Sequence, residues 1–153
     1  AQQALGWRSR TSEEVDAALT ALVDRVTRRL RAADRVGRTV TVRLRFADLS
    51  RATRSHTLPE PTRSTQEVLT AARILLSQAG PAIETGGLSL IGVTISNLDD
   101  ARAVQLTLPF DRRTDPALDE AVDQVQRRFG AASLTRSVLL GNRADPGVPL
   151  LPD

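Results

Sequence analysis

The 153-residue sequence contains no cysteine and a single histidine, His56. Without cysteine the chain cannot form disulfides, and it lacks the thiolate nucleophile and the cysteine–histidine ligand sets of zinc sites. His56 lies among threonine and arginine residues with no second histidine to share a site, so we expect an exposed histidine rather than a catalytic one. The adjacent carboxylates Asp99 and Asp100 are typical of a turn. We therefore predict no catalytic residue and no metal ligand in this chain.

Long apolar runs are also missing. No stretch approaches the roughly 18 consecutive apolar residues that a membrane span needs, and the first residues lack the charged-then-apolar pattern of a signal peptide. The composition, 41% hydrophobic and 25% charged, is that of a globular domain with a buried core. We expect no membrane partner and a cytoplasmic location.

Lysine is absent as well, so all 21 basic residues are arginine. Residues 1–58 hold twelve arginines and six acidic residues, a net charge of +6, whereas residues 59–110 carry −2 and residues 111–153 carry −1. A localised positive charge attracts phosphate backbones, although clusters of this kind are also found as solvated surface. Composition alone leaves both interpretations open.

Two amphipathic helices are predicted in the first half of the chain. Thr11 and Glu14 have the spacing of a capping box, and apolar residues then recur every three or four positions through Ala33. Ser64 and Glu67 repeat this spacing before a second helix that extends to about Gln78, where Gly80-Pro81 breaks the pattern. On the polar face of the first helix, we expect a solvated set of arginines: Arg25, Arg28, Arg29 and Arg31.

Three strands are indicated by alternation of apolar and polar residues. In residues 40–46, Val40, Val42, Leu44 and Phe46 alternate with Thr41, Arg43 and Arg45. Residues 51–58 form a polar strand that Pro59 and Pro61 are expected to end, and the short connection predicts an antiparallel hairpin. Residues 88–98 form the third strand.

The C-terminal part is predicted to be an appendage. Asp115 as N-cap and Pro116 at the first helical position begin a helix that ends at Gly130. A short strand over residues 134–140 and a coil tail over residues 141–153 follow.

The strands together predict a polar, cationic sheet face. Guanidinium and hydroxyl groups of this kind bond phosphates without reading base sequence. The face carries none of the aromatic side chains on which single-stranded bases stack. We therefore expect sequence-independent binding to duplex nucleic acid through seven residues: Arg43, Arg45, Thr53, Arg54, Ser55, Thr57 and Thr94.

These same segments resemble a known domain. Residues 38–48, 53–59 and 90–98 are similar to the little-finger domain of the Y-family translesion DNA polymerases, specifically the bacterial DNA polymerase IV group, and residues 3–6 resemble the segment that precedes that domain. Residues 128–130 and 138–141 resemble the C-terminal extension of many bacterial members. The resemblance implies an α+β fold of order β-α-β-β-α-β, with a four-stranded sheet, two helices on one face and DNA on the other. The first strand would lie in residues 1–7, and a C-terminal helix and short strand would follow.

The resemblance also implies how the chain is divided. The little-finger domain would span residues 1–98, a linker residues 99–114, and the C-terminal extension residues 115–153. In the linker, the hexapeptide Gln105 to Phe110 is open to two interpretations: a strand end that finishes on the surface, or an extended peptide that docks in a partner's groove. It resembles the bacterial sliding-clamp-binding motif, in which Leu108 and Phe110 would be the apolar anchors, Gln105 the polar one, and Leu106 and Pro109 supporting contacts.

The expected partners are thus duplex primer-template DNA, the β sliding clamp and a polymerase core that this chain does not include. The family's chemistry uses magnesium ions held by carboxylates of that core, so we expect no cofactor in this chain. Two alternatives remain. The parent protein is a catalytically inactive Y-family adaptor, which lacks the magnesium-binding carboxylates, or the chain is a stand-alone ferredoxin-like regulatory or RNA-binding domain, which would prefer single-stranded RNA and ignore the clamp.

Overall fold

A computed structural model describes residues 1–6, 11–101, 116–130 and 133–137. Along the chain the elements are β1 (Gln2–Ala4), α1 (Ser12–Ala32), β2 (Arg35–Phe46), β3 (Arg51–Thr62), α2 (Thr65–Ser77), α3 (Gly80–Gly86), β4 (Leu88–Asp100) and α4 (Pro116–Phe129).

The four strands form one antiparallel sheet in the order β1-β4-β2-β3. The order confirms the predicted β-α-β-β-α-β arrangement, with β1 inside residues 1–7 and the hairpin between β2 and β3. α1 and α2 cover one face of this sheet, and the opposite face is left uncovered by both helices.

The core lies between the sheet and the two helices. Val40, Val42, Leu44 and Phe46 of β2 are all buried, as the alternation predicts, and they pack with the apolar stripes of α1 and α2. The largest fully buried apolar side chains come from α1, from α2 and from the sheet: Leu19, Leu22, Val23, Val40, Val42, Val68, Ile91 and Val93. Because side chains alternate across a strand, the residues that lie between the buried ones on β2 and β4 face the opposite side of the sheet.

The helix starts are as predicted. The Thr11 backbone N–H donates to Glu14 Oε2 at 3.1 Å and Glu14 N–H donates to Thr11 Oγ1 at 3.2 Å, which completes a capping box for α1. Ser64 Oγ accepts from Glu67 N–H at 3.4 Å and caps α2.

The prolines do not end β3, which was predicted to stop at residue 58. The strand continues through Pro59 and Pro61 to Thr62, which pairs with Gly37. β3 is the edge of the sheet, and its register with β2 shifts between the pairs Thr39–Thr57 and Gly37–Thr62. Pro59 and Pro61 lie in this irregular stretch, which is where prolines are tolerated in sheets. At the other borders, β2 begins five residues earlier than predicted, at Arg35, and β4 continues to Asp100.

The prediction of a strand over residues 134–140 is wrong for its described part. Residues 134–137 are not in a strand; Ser133 N–H donates back to the Gly130 carbonyl at 3.1 Å, and the Leu134 carbonyl accepts from the Gln126 side-chain amide at 2.8 Å. Bonding to a helix side chain replaces the strand pairing that the β-type composition suggested. Residues 138–140 lie outside the described residues.

The close approach of β2 and β4 at Gly37 gives a test of the packing. A Cβ placed on Gly37 would collide with Cγ2 of Ile95 and lie 3.0 Å from Cδ2 of Leu98. We expect Gly37→Ala to lower the free energy of unfolding by about 1–3 kcal/mol, the usual cost of overpacking, measured by urea denaturation.

Gly80→Ala is the control, because a Cβ there meets no atom within 4 Å. It should leave the free energy of unfolding unchanged or raise it by up to about 1 kcal/mol. Equal stability of the Gly37→Ala variant and the unmodified chain would contradict the tight packing of β2 against β4.

Candidate nucleic-acid interface

The face of the sheet opposite the helices is polar on β2 and β3, and it also includes Ala4, Leu90 and Gly92 at the β1–β4 side. Directly opposed residues in antiparallel strands share a face, so the register identifies its members strand by strand. Thr41 is paired with both Ser55 and Thr94, and Thr39 with both Thr57 and Ser96. This surface, which we call the outer face, consists of Gln2, Ala4, Thr39, Thr41, Arg43, Arg45, Arg51, Thr53, Ser55, Thr57, Leu90, Gly92, Thr94 and Ser96.

Hydroxyl groups at one end of the outer face are ordered by hydrogen bonds. Thr39 Oγ1 and Thr57 Oγ1 lie 3.0 Å apart, and Thr41 Oγ1 and Ser55 Oγ lie 2.9 Å apart. The Asn97 side-chain amide donates to Thr39 Oγ1 at 2.9 Å. Each cross-strand pair bonds only one hydroxyl hydrogen, which leaves donor and acceptor capacity toward solvent.

Arginines occupy the other end. Arg45 lies directly opposite Arg51, and Arg43 lies opposite Thr53 on one side and Gly92 on the other. The side chains of Arg43 and Arg51 are exposed and make no hydrogen bond or ion pair with any residue that the structure describes, whereas Arg45 Nε donates to Ser89 Oγ at 3.3 Å. Like charges directly opposite each other destabilise a sheet, and none of these three arginines forms an ion pair with a carboxylate of the described residues.

Six of the seven residues predicted to bind nucleic acid share the outer face, and one does not. Arg54 is paired with buried Val42, so it lies on the helix side of the edge strand, as does exposed His56 opposite Val40. The prediction grouped Arg54 with its neighbours by composition, although alternation along β3 separates it from Thr53 and Ser55.

The same alternation brings in residues that were not predicted as site members. Counting in steps of two from Arg43 through the hairpin would have found Arg51, and counting along the strands would have found Thr39, Thr41 and Ser96. The predicted clamp-binding residues Gln105, Leu106, Leu108, Pro109 and Phe110 lie outside the described residues.

The arginines of α1 are not the uniform solvated face that was predicted. The Arg31 side chain is only 9% exposed and forms an ion pair with Asp123 of α4, with Nε 2.6 Å from Oδ2. Arg28 NH1 donates to Gln126 Oε1 at 2.7 Å. The prediction is wrong for these two residues because α4, distant in sequence, lies over this side of α1. The side chains of Arg25 and Arg29 make no hydrogen bond or ion pair with described residues.

The pKa values of Arg31 and Asp24 are both raised, for different reasons. Burial alone would lower the pKa of Arg31, but the hydrogen bond to Asp123 and the charge of Asp119 outweigh it and raise the pKa. Burial raises the pKa of Asp24, against the opposing effect of its ion pair with Arg136 at 2.8 Å. Arg31 therefore keeps its positive charge at neutral pH, as the ion pair with Asp123 requires.

Comparison with known proteins identifies the family. Residues 1–108 match the model of the impB/mucB/samB family C-terminal domain. The chain belongs to this family. DNA polymerase IV 2 of Mesorhizobium japonicum is 38% identical over 145 residues, which cover 85% of this chain and 34% of that protein. DNA polymerase IV of Streptomyces coelicolor is 41% identical over 98 residues, 63% of this chain and 20% of that protein. The chain thus spans about a third or less of the curated relatives it matches.

A solved structure with the same fold is described as a complex of beta-clamp processivity factor and little finger domain of PolIV. It is 22% identical, has a TM-score of 0.52, and covers 71% of this chain and 95% of that one. The resemblance to the little finger of DNA polymerase IV is thereby confirmed for this impB/mucB/samB C-terminal domain. No helix in the described ranges is both long and apolar enough to cross a membrane.

Proposed function

We propose that this domain holds duplex primer-template DNA through the phosphate groups on the outer face of its sheet. The observation that carries the proposal is the direct opposition of Arg45 and Arg51, with Arg43 one step away on the same face. The repulsion between these guanidinium groups lowers the stability of the free chain. An anion bound between them would remove that repulsion. Repeated phosphates supply such anions along a duplex.

The rest of the outer face favours backbone contacts over base recognition. Its hydroxyl groups and strand ends suit phosphate oxygens, and none of its residues is aromatic. Phe46 is buried in the core and Phe129 lies on α4, so neither offers a stacking platform on this face. Among the residues of the outer face, a single-strand RNA-binding domain would therefore find no aromatic side chain on which to stack bases.

We further propose that the hexapeptide Gln105 to Phe110 docks on the β sliding clamp. The support is the hexapeptide's resemblance to the clamp-binding motif, its position directly after the little-finger fold, and the family match that extends to residue 108. In the bound peptide, Leu108 and Phe110 fill an apolar pocket and Gln105 sets the register, with Leu106 and Pro109 as supporting contacts.

The parent protein is proposed to be a DNA polymerase IV whose magnesium-dependent chemistry lies in modules outside this chain. Among the described residues, no three acidic or histidine side chains are grouped to hold a metal ion. The role that we propose for this chain is to hold DNA and to recruit a partner. An inactive adaptor would share both roles, and the carboxylates of the parent's core distinguish the two.

The proposed phosphate binding predicts a defined salt dependence. Replacement of Arg43, Arg45 and Arg51 together by alanine should weaken duplex binding and make the slope of log affinity against log salt shallower, by about 0.9 for each phosphate that is no longer neutralised. Fluorescence anisotropy of a labelled primer-template across a sodium chloride series measures both quantities. Affinity should be nearly the same for duplexes of unrelated sequence.

Arg51→Ala and Arg54→Ala form a matched pair on one strand. Both residues are exposed arginines of β3 and differ in the face on which they lie. We expect Arg51→Ala to weaken binding several-fold more than Arg54→Ala. Equal losses of affinity in the two variants would contradict the outer face as the DNA surface, and an unchanged affinity in the triple variant would overturn the proposal.

If the hexapeptide docks on the clamp, the two proteins should form a complex that can be measured by calorimetry. Isothermal titration of the full chain with a bacterial β clamp should give a dissociation constant of about micromolar, which the combined change Gln105→Ala, Leu108→Ala and Phe110→Ala should abolish because it removes the polar and apolar anchors.

Thr107→Ala serves as the control within the hexapeptide, since it leaves every proposed anchor in place. It should bind like the unmodified chain. Failure of the unmodified chain to bind, or equal binding by the triple variant, would exclude the hexapeptide as the docking segment.

A further inference from the structure

α4 is attached to the domain by polar contacts. None of its described side chains belongs to the buried core or to the partly buried residues packed against it. Its contacts instead involve the long side chains of Arg28, Arg31, Arg63 and Arg136. Attachment of this kind is specific in geometry and weakens when the charges are removed.

Arg31 is the centre of the attachment. Its guanidinium group binds both carboxylate oxygens of Asp123, with Nε 2.6 Å from Oδ2 and NH2 2.9 Å from Oδ1. Its NH1 donates to Thr65 Oγ1 at 2.9 Å and lies 3.4 Å from Asp119 Oδ2. Asp119 in turn accepts the backbone N–H of Thr65, the first residue of α2, at 2.8 Å. Two carboxylates of α4 are thus bound to α1 and to the start of α2.

Arg63 connects the two ends of the segment 102–115. One guanidinium nitrogen lies 3.2 Å from Asp34 Oδ1 and the other lies 3.4 Å from Glu120 Oε1 in the first turns of α4. The Asp34 carbonyl accepts the N–H of Ala101, the residue after β4, at 3.0 Å. The chain therefore leaves β4 and enters α4 at the same corner of the domain.

This corner lies far from the arginine end of the outer face. β2 begins beside the corner, at Arg35, and reaches Arg45 ten residues later. At about 3.3 Å per residue that is about 33 Å along the strand. A partner bound at the corner and a duplex bound at Arg45 and Arg51 would occupy opposite ends of the sheet.

We propose that α4 is a second anchor that fixes the clamp-docking segment by both ends, through the Arg31–Asp119–Asp123 network, and so directs the clamp to the end of the sheet remote from the DNA-binding arginines. The inference rests on the proposed docking of residues 105–110 on the clamp. A peptide tethered at both ends loses less conformational entropy on binding than a free tail, so the anchor strengthens docking.

The test uses the full chain and a double variant, Asp119→Ala with Asp123→Ala. Because the sequence has no native cysteine, spin labels can be placed by Gln66→Cys on α2 and Gln124→Cys on α4, two exposed positions. We expect one narrow distance distribution in the otherwise unmodified chain and a broad one in the double variant. Clamp affinity, measured by titration, should fall about three- to tenfold in the double variant.

Glu13→Ala with Glu84→Ala is the charge-matched control, since it changes the net charge equally at exposed residues away from α4. It should retain both the narrow distribution and the full clamp affinity. Arg31→Ala is the second release variant and should act like the double variant, with circular dichroism as the check that the domain is folded.

The outcomes separate the two proposals. A broad distribution in the unmodified chain, or a narrow one in both release variants, would overturn the anchor. A broad distance distribution in a release variant whose clamp affinity is unchanged would overturn the claim that α4 strengthens docking. Absence of clamp binding by the unmodified chain would overturn the docking proposal itself, and the inference with it.

Discussion

The structure depends on the antiparallel pairing of β2 with a strand on each side. β2 lies between β4 and β3, and each of its residues is placed on a face by the pleat. Its apolar set faces α1 and α2 and forms the core, while four residues face outward: Thr39, Thr41, Arg43 and Arg45. Their partners on β3 are all polar, and their partners on β4 are Ser96, Thr94, Gly92 and Leu90. The alternation of apolar and polar residues along β2 therefore forms both the core and the candidate interface. A shift of one residue in the pairing of β2 would turn the apolar side chains to the outer face and the polar ones to the core.

The two attachments in this molecule are of different physical kinds. The sheet and the first two helices are held by apolar burial, which does not depend on direction. α4 is held by guanidinium–carboxylate and hydrogen-bond contacts, which fix orientation and depend on charge. The first kind suits a rigid surface that holds a regular polyanion. The second suits an element that sets the position of a neighbouring segment.

Features of the fold that depend on residue type and short spacing could be predicted from the sequence. The capping box at Thr11 and the buried alternation of β2 depend on neighbours within a few positions, so they could be predicted. Sequence reasoning failed at Pro59 and Pro61, because their tolerance depends on β3 being an edge strand. It failed at Arg31, because the carboxylates that bind it lie about ninety residues further along the chain.

Local periodicity and the order of residue types were enough to predict α1, α2, α4, the three longer strands, the family resemblance and the polar character of one sheet face. Alternation along β2 and β3 also places Arg51 with Arg43 and Arg45, and Arg54 on the other face. The contacts of Arg28 and Arg31 with α4, and the absence of a strand over residues 134–137, are seen only in the folded structure. The physical reason is that the partners of these residues lie far away in the sequence, so the spacing of nearby residues does not indicate them.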